Sequence, residues 1–197
     1  MGEGAEAGQG GATLFRGRLI LPDRIEAGAI LVRGGRIVER LAIDAPAPPG
    51  GSVIDAGDGY LSPGFVDLHV HGGGGGDFMD GTEEAFEAAL RSHLRHGTTR
   101  LTPTTTVAGH EQILRVLELT RRYRREPDPL GARVLGMHFY GPYFQPQAVG
   151  VHPAKEVRTP RAEEYLQYLE YAEELTTATV APELPGAEAF VRACVER

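Results

Sequence analysis

Cysteine is almost missing from this chain: one residue, Cys194, in 197. A lone thiol closes no internal disulfide, so nothing points to an oxidising compartment, and the sequence shows no partners for a catalytic cysteine. Long apolar runs are missing too. No stretch reaches about eighteen residues, the length a membrane helix needs, and the first eleven residues lack the cationic start and apolar core of a secretory leader. Membrane insertion and secretion are not expected, and the expected compartment is the cytoplasm. Positive charge is in short supply, with 20 Lys and Arg against 27 Asp and Glu and a formal net charge of -7. That balance repels phosphate backbones. The one dense basic group, Arg121, Arg122, Arg124 and Arg125, falls where a helix should end, and cations there answer the helix dipole. Nucleic acid is therefore not an expected partner. Histidine disappears altogether after His152.

What remains is the composition of an ordinary globular protein, 41% hydrophobic and 24% charged. The length suits one good core, or a small domain joined to the start of a larger one. Residues 1–11 are Gly-rich and polar and are expected to form a disordered tail. Residues 12–60 read as a small β domain, with strands over Thr13 to Leu21, Ala29 to Arg33, Arg36 to Leu41 and Ser52 to Asp55. Gly34-Gly35 marks a two-residue hairpin turn, and the Pro- and Gly-rich segment Ala45 to Gly51 a loop.

From Leu61 the rhythm changes to strands alternating with helices. Strands are expected at Phe65 to Val70, Thr98 to Thr102, Arg133 to Phe139 and Thr177 to Ala181. The helix between the first two is capped by Thr82, carries Phe86, Leu90 and Leu94 on one face, and stops at Gly97. A second runs from about Gly109 to Arg125 with Ile113, Val116, Leu117 and Thr120 on a stripe. A third is expected to open at Thr159-Pro160 and reach Glu174, and a fourth starts near Glu188. Four βα units over residues 61–197 predict an α/β fold with a parallel, helix-covered sheet. A closed barrel needs eight strands, so this is an open four-stranded sheet, half a barrel or a truncated copy of something longer. Half a barrel leaves two unpaired edges and an uncovered inner face, which predicts a homo-oligomer.

Chemistry concentrates in Pro63-Gly64-Phe65-Val66-Asp67-Leu68-His69-Val70-His71. Two histidines two apart on a strand point to the same side. At the carboxyl end of a parallel strand, where ligands bind, His69 and His71 are candidate ligands for a divalent metal, with zinc favoured by imidazole donors. Gly72 to Gly76 follows as a loop that lets substrate approach backbone. His138 shares a strand face with Tyr140. Asp67, in phase with the histidines, could orient one of them or pair within the barrel floor, and Asp77 could hold the glycine loop. His93 and His96 read as structural, His110 as solvated, and Tyr165, Tyr168 and Tyr171 as a half-buried helix face.

These motifs resemble the amidohydrolase superfamily, and within it the N-acetylglucosamine-6-phosphate deacetylase family. The resemblance rests on Pro63 to His71, Gly72-Gly73-Gly74, His138-Phe139-Tyr140-Gly141-Pro142, Gly150-Val151-His152 and Ala181-Pro182-Glu183, five segments in register across residues 13–197. It implies the N-terminal part of a (β/α)8 TIM-like barrel preceded by a small β-sandwich-like domain. It also implies a metal-dependent hydrolase that removes acetyl from N-acetylglucosamine 6-phosphate, a small amino-sugar phosphate, with the metal polarising the amide carbonyl and activating water. His152 would contact the sugar, with Tyr140 and His138 beside it as substrate-binding candidates. The pattern departs at Tyr140, where the family has a glutamate metal ligand; a neutral phenol is a weaker zinc ligand than a carboxylate. The family's general-base Asp and further histidines lie on later strands, beyond Arg197, so none of the catalytic residues is expected within the chain and the chain alone is expected to be inactive. Two other readings stand beside this one: a non-catalytic remnant or interaction module with a half barrel, and another cyclic amidohydrolase or deaminase.

Overall fold

The computed structural model describes residues 11–197. The tail expected over residues 1–11 therefore lies, apart from Gly11, outside the described residues. The chain divides into two compact units, Met1–Pro63 and Gly64–Arg197, and no helix among the described residues is long and apolar enough to cross a membrane.

The first unit is one mixed sheet of β1 (Thr13–Ile20), β2 (Ile25–Arg33), β3 (Arg36–Leu41) and β4 (Ser52–Leu61), in the order β3-β2-β1-β4. β2 starts four residues earlier than the sequence pattern suggests, because the β1–β2 hairpin pairs without a break from Thr13↔Val32 to Ile20↔Ile25. The β2–β3 turn is Gly34-Gly35 with φ of 54° and 72°, the left-handed pair that a two-residue hairpin requires. β4 runs parallel to β1 and continues well past Asp55. Its register jumps between Arg16↔Asp55 and Arg18↔Tyr60, and the intervening residues bulge out around Gly57, whose N–H donates to Asp55 Oδ1 at 2.8 Å. The buried core is small: Leu14, Ala29 and Leu31, flanked by Ala12, Leu41 and Ala45. Ile20, Ile25, Ile37, Val38, Val53, Ile54 and Tyr60 stay exposed.

In the second unit β5 (Phe65–Val70) leads into a two-stranded glycine hairpin, β6 (Gly72–Gly73) and β7 (Gly76–Asp77). Then come α1 (Glu83–Arg95), β8 (Thr98–Pro103), α2 (His110–Arg125), β9 (Arg133–Val134), β10 (Met137–Tyr140), α3 (Ala162–Tyr168), β11 (Leu175–Thr179) and α4 (Ala187–Val195). β5, β8 and β9 pair in parallel, β10 pairs in parallel with β11, and a parallel bridge between Thr104 and His138 links the two sheets. The strands thus follow one another in chain order, an α/β arrangement. The core gathers Val70, Leu101, Val134, Met137 and Phe139 from strands with Phe86, Leu90, Ile113, Val116, Leu117, Tyr165, Tyr168 and Phe190 from helices. Thr82 caps α1, its side chain accepting from the Ala85 N–H.

Four local expectations are corrected. The third strand is broken at Leu135-Gly136, where a side chain on Gly136 would meet Glu174 O at 2.6 Å. α3 begins at Ala162 behind Arg161 rather than at Thr159-Pro160, since buried Pro160 packs its carbonyl against Gly186. The helix also ends early, at Tyr168 with a 3-10 turn to Tyr171, and Glu174 turns back to pair with Arg121 and Arg124 of α2 at 3.2 and 3.7 Å. The arginine group therefore does more than answer a dipole: Arg121 also stacks on Tyr171, 3.9 Å from its ring centre, and Arg122 pairs with Glu83. The fourth strand spans Leu175–Thr179, two residues earlier than its pattern, because Ala181 N–H is taken by Tyr143 O at 2.9 Å.

Candidate metal centre

β5 delivers His69 and His71 to one side, and their Nε2 atoms stand 3.1 Å apart. His71 Nδ1 lies 3.1 Å from the Thr104 carbonyl oxygen. A carbonyl only accepts, so Nδ1 carries the proton and Nε2 presents its lone pair, the form that ligates metal. The spacing is close to the roughly 3.3 Å between two nitrogens on one tetrahedral zinc. The pair thus fits two positions of a metal site. A third is not supplied in kind, because among the described residues no group of three His, Cys, Asp or Glu side chains is placed to hold a metal.

β10 brings His138 and Tyr140 to the same place. The His138 ring centre lies 4.9 Å from that of His69, and the Tyr140 ring centre 5.0 Å from His69 and 6.0 Å from His71. His138 Nε2 is engaged by the Thr179 hydroxyl at 2.8 Å, so that nitrogen faces β11 and not the His69–His71 pair. His152, on the loop after β10, joins through Tyr140, ring centres 5.5 Å apart. His69, His71, His138, Tyr140 and His152 therefore meet, although 83 positions separate the first from the last (152 less 69).

Burial, and then the neighbouring His69 and His71, hold the His138 imidazole below the ordinary histidine value. Burial and then His71 do the same for His152. With the folded values depressed, the unfolded chain takes up these protons first. Their contribution to stability is complete above about pH 6.5 and is lost as pH falls below it. Thermal melts of the metal-free chain at pH 7.5, 6.5 and 5.5 should show Tm falling with pH, and His138→Gln should lessen the fall; an equal fall in both proteins would show that His138 does not contribute.

The remaining candidates serve the scaffold. Asp67 Oδ1 accepts from the His69 backbone N–H at 3.1 Å, so it braces the strand rather than an imidazole ring. Asp77 caps the short helix Phe78–Asp80, accepting from Met79 N–H at 2.8 Å. His93 Nε2 donates to Gly72 O at 3.0 Å and His96 Nδ1 to Ser92 O at 2.8 Å. His110, expected to be solvated, instead meets Tyr168 Oη at 2.8 Å and Gln167 Oε1 at 3.2 Å, because α3 packs over the start of α2.

The glycine run is also corrected. Rather than an open approach, it is a hairpin pressed on α1: a side chain on Gly76 would meet Ala85 O at 2.5 Å and Ala85 Cα at 2.8 Å, and one on Gly72 would meet Gly76 O at 2.2 Å. These clashes are with backbone, which cannot rotate away. Gly76→Ala is expected to cost about 1–3 kcal/mol as overpacking, read as a lowered midpoint in urea; an unchanged midpoint would show that the hairpin lifts freely from α1.

Sequence reasoning missed the threonines and one aromatic. Thr104 sets the His71 tautomer through its carbonyl, Thr105 Oγ1 accepts from the Tyr140 N–H at 2.8 Å, and both are fully buried. The run Thr102 to Thr106 at the carboxyl end of a predicted strand was the available signal. Phe144, whose ring centre is 4.9 Å from that of Tyr140, had none.

Residues 60–196 match the family model of the amidohydrolase family. The chain is 31% identical over 163 residues to N-acetylglucosamine-6-phosphate deacetylase of Bacillus subtilis, covering 81% of this chain and 41% of that protein. It is 33% identical over 142 residues to N-acetylgalactosamine-6-phosphate deacetylase of Escherichia coli O157:H7, covering 72% and 37%. Among solved structures, N-acetyl-D-glucosamine-6-phosphate deacetylase of Mycobacterium smegmatis in complex with N-acetyl-D-glucosamine-6-phosphate superposes with a TM-score of 0.80. That match has 30% identity and covers 95% of this chain and 48% of that one. The match thus covers less than half the length of each of these three relatives. The family match takes in every ring of the cluster built on β5 and β10, and the chain belongs to the amidohydrolase family.

Proposed function

We propose that this chain is the N-terminal part of a metal-dependent hydrolase that removes the acetyl group from N-acetylglucosamine 6-phosphate. On this reading the four parallel strands are the first half of a β/α barrel, and the four-stranded sheet before them is part of a β-sandwich. The observation that carries the proposal is the His69–His71 pair, with Nε2 atoms 3.1 Å apart and the His71 tautomer held by a backbone carbonyl. His69 and His71 would hold a divalent metal there, zinc by the preference of imidazole donors, and the metal would supply polarisation of an amide carbonyl and a lowered pKa for an attacking water.

The other rings bind and orient. His152 and Tyr140 are assigned to the sugar, and the contact of Tyr140 with both His69 and His152 supports that assignment. Burial and the neighbouring His69 and His71 hold the His138 imidazole below the ordinary histidine value, which disfavours a positive charge beside the pair. Proton transfer is the missing function. Among the described residues no carboxylate hydrogen-bonds any of these rings, and the nearest in sequence, Asp67, is spent on a backbone N–H. The base and the remaining ligands belong to later barrel strands, consistent with relatives about twice as long. The zinc-loaded chain is expected to keep its metal through desalting and to release acetate from N-acetylglucosamine 6-phosphate no faster than buffer. Repeated turnovers by this chain would overturn the placement of the base, and failure to keep zinc would overturn the metal reading.

A homo-oligomer in the cytoplasm is part of the proposal. Among the described residues β5 and β11 each pair with a single strand, and Phe65, Val66 and Leu68 on β5 are 66%, 52% and 65% exposed. Unpaired strand edges with apolar side chains favour association, which supports the alternative of an interaction module equally well. Retention of zinc, rather than oligomeric state or acetate release, separates the two readings.

A further inference from the structure

We propose that Tyr140, Phe144 and His152 form an aromatic wall that takes the apolar face of the substrate's pyranose ring, and that Tyr140 acts on the sugar rather than as a metal ligand. This rests on the proposed function and adds to it how the sugar is recognised. The three rings touch one another, with centres 4.9 Å apart for Tyr140 and Phe144, 5.3 Å for Phe144 and His152, and 5.5 Å for Tyr140 and His152. On its other side Tyr140 meets His69, so the wall begins where the metal pair ends.

The wall is built on a fixed base and left half open. Tyr140 is anchored through its backbone, N–H to Thr105 Oγ1 at 2.8 Å, while its hydroxyl finds no hydrogen-bond partner among the described residues. Tyr140, Phe144 and His152 are all half-buried, and none belongs to the buried core. Ring surface held half-exposed beside polar donors is the make-up of a small-molecule site rather than of a packed interior. A hexopyranose with equatorial hydroxyls turns its axial C–H bonds to its two faces, and these lie well on the negative face of an aromatic ring. The free Tyr140 hydroxyl is then available to a sugar or amide oxygen at the edge of the wall. A ligand role would require the phenol to give up its proton, whereas a sugar-facing role uses the neutral form.

Saturation-transfer NMR with N-acetylglucosamine 6-phosphate, on the full chain with and without zinc, tests this. Irradiating aromatic protons should saturate the axial hydrogens of one ring face most strongly. Phe144→Leu and Tyr140→Leu should each weaken sugar binding about tenfold, and Tyr140→Phe less than about threefold. All three should keep the zinc content of the parent, with circular dichroism melts confirming that they fold. Zinc lost from Tyr140→Phe to the level of His69→Ala would make Tyr140 a ligand and overturn the proposal. So would unchanged sugar binding in folded Phe144→Leu and Tyr140→Leu, or a parent that holds zinc yet transfers no saturation to the sugar. A parent that holds no zinc but still transfers saturation through these rings would instead sink the metal reading and leave the wall standing.

Discussion

The purified chain supplied with zinc should hold about one equivalent, and the His69→Ala, His71→Ala double variant close to none. On the proposed reading both imidazoles ligate through Nε2, the atoms that stand 3.1 Å apart, and one of them is oriented by a backbone carbonyl that no side-chain change removes. Loss of an outer partner alone costs roughly 10–100-fold in metal affinity, so loss of both ligands should take binding below the level that survives desalting. Because ligation needs deprotonated donors, zinc binding should also weaken on acidification. Metal analysis showing equal zinc in parent and double variant would remove the site.

The second large effect is on stability. Phe139 lies between His138 and Tyr140 in sequence and points away from them, 1% exposed. Its ring packs against Tyr168, Tyr143 and Phe190, with centres 5.2, 5.8 and 6.0 Å away. Truncating so enclosed an aromatic ring removes its transfer free energy and leaves a cavity, so Phe139→Ala should cost about 3–5 kcal/mol. For a chain of this size that lowers Tm by roughly 6–20 °C. A shift under about 1 kcal/mol in urea denaturation would show that the aromatic cluster beneath β10 closes over the gap.

The two expectations meet on one strand. β10 buries Phe139 in the core and lifts His138 and Tyr140 into the cluster, so the period-two alternation of a strand serves packing and chemistry together. The sequence reading put His138 and Tyr140 on one face of a strand, as it did His69 and His71, but not Phe139 in the core. It went wrong where partners distant in sequence decided the outcome. His110 looked solvated at the head of its helix, and α3 covers it. The glycines after His71 looked like an open loop, and α1 fills the space above them. Helix α3 looked as though it should run to Glu174, but it ends at Tyr168 and that carboxylate turns back to pair with Arg121 and Arg124.

What the sequence determined by itself is the local part. It set the order of strands and helices, the cap at Thr82, the glycine hairpin turn in the first unit, and the fact that His69 and His71 share one face of a strand. Each follows from backbone geometry within a few residues, where periodicity and conformational preference dominate. Tertiary structure decided which nitrogen of His71 is free, because the Thr104 carbonyl that fixes it arrives from the neighbouring strand. It also decided that Tyr140 and His152 stand beside the histidine pair and that Phe144 completes their wall. Hydrogen bonds and ring contacts act over a few ångströms, and only the parallel registry of β5, β8, β10 and β11 brings residues so far apart in the chain within that range.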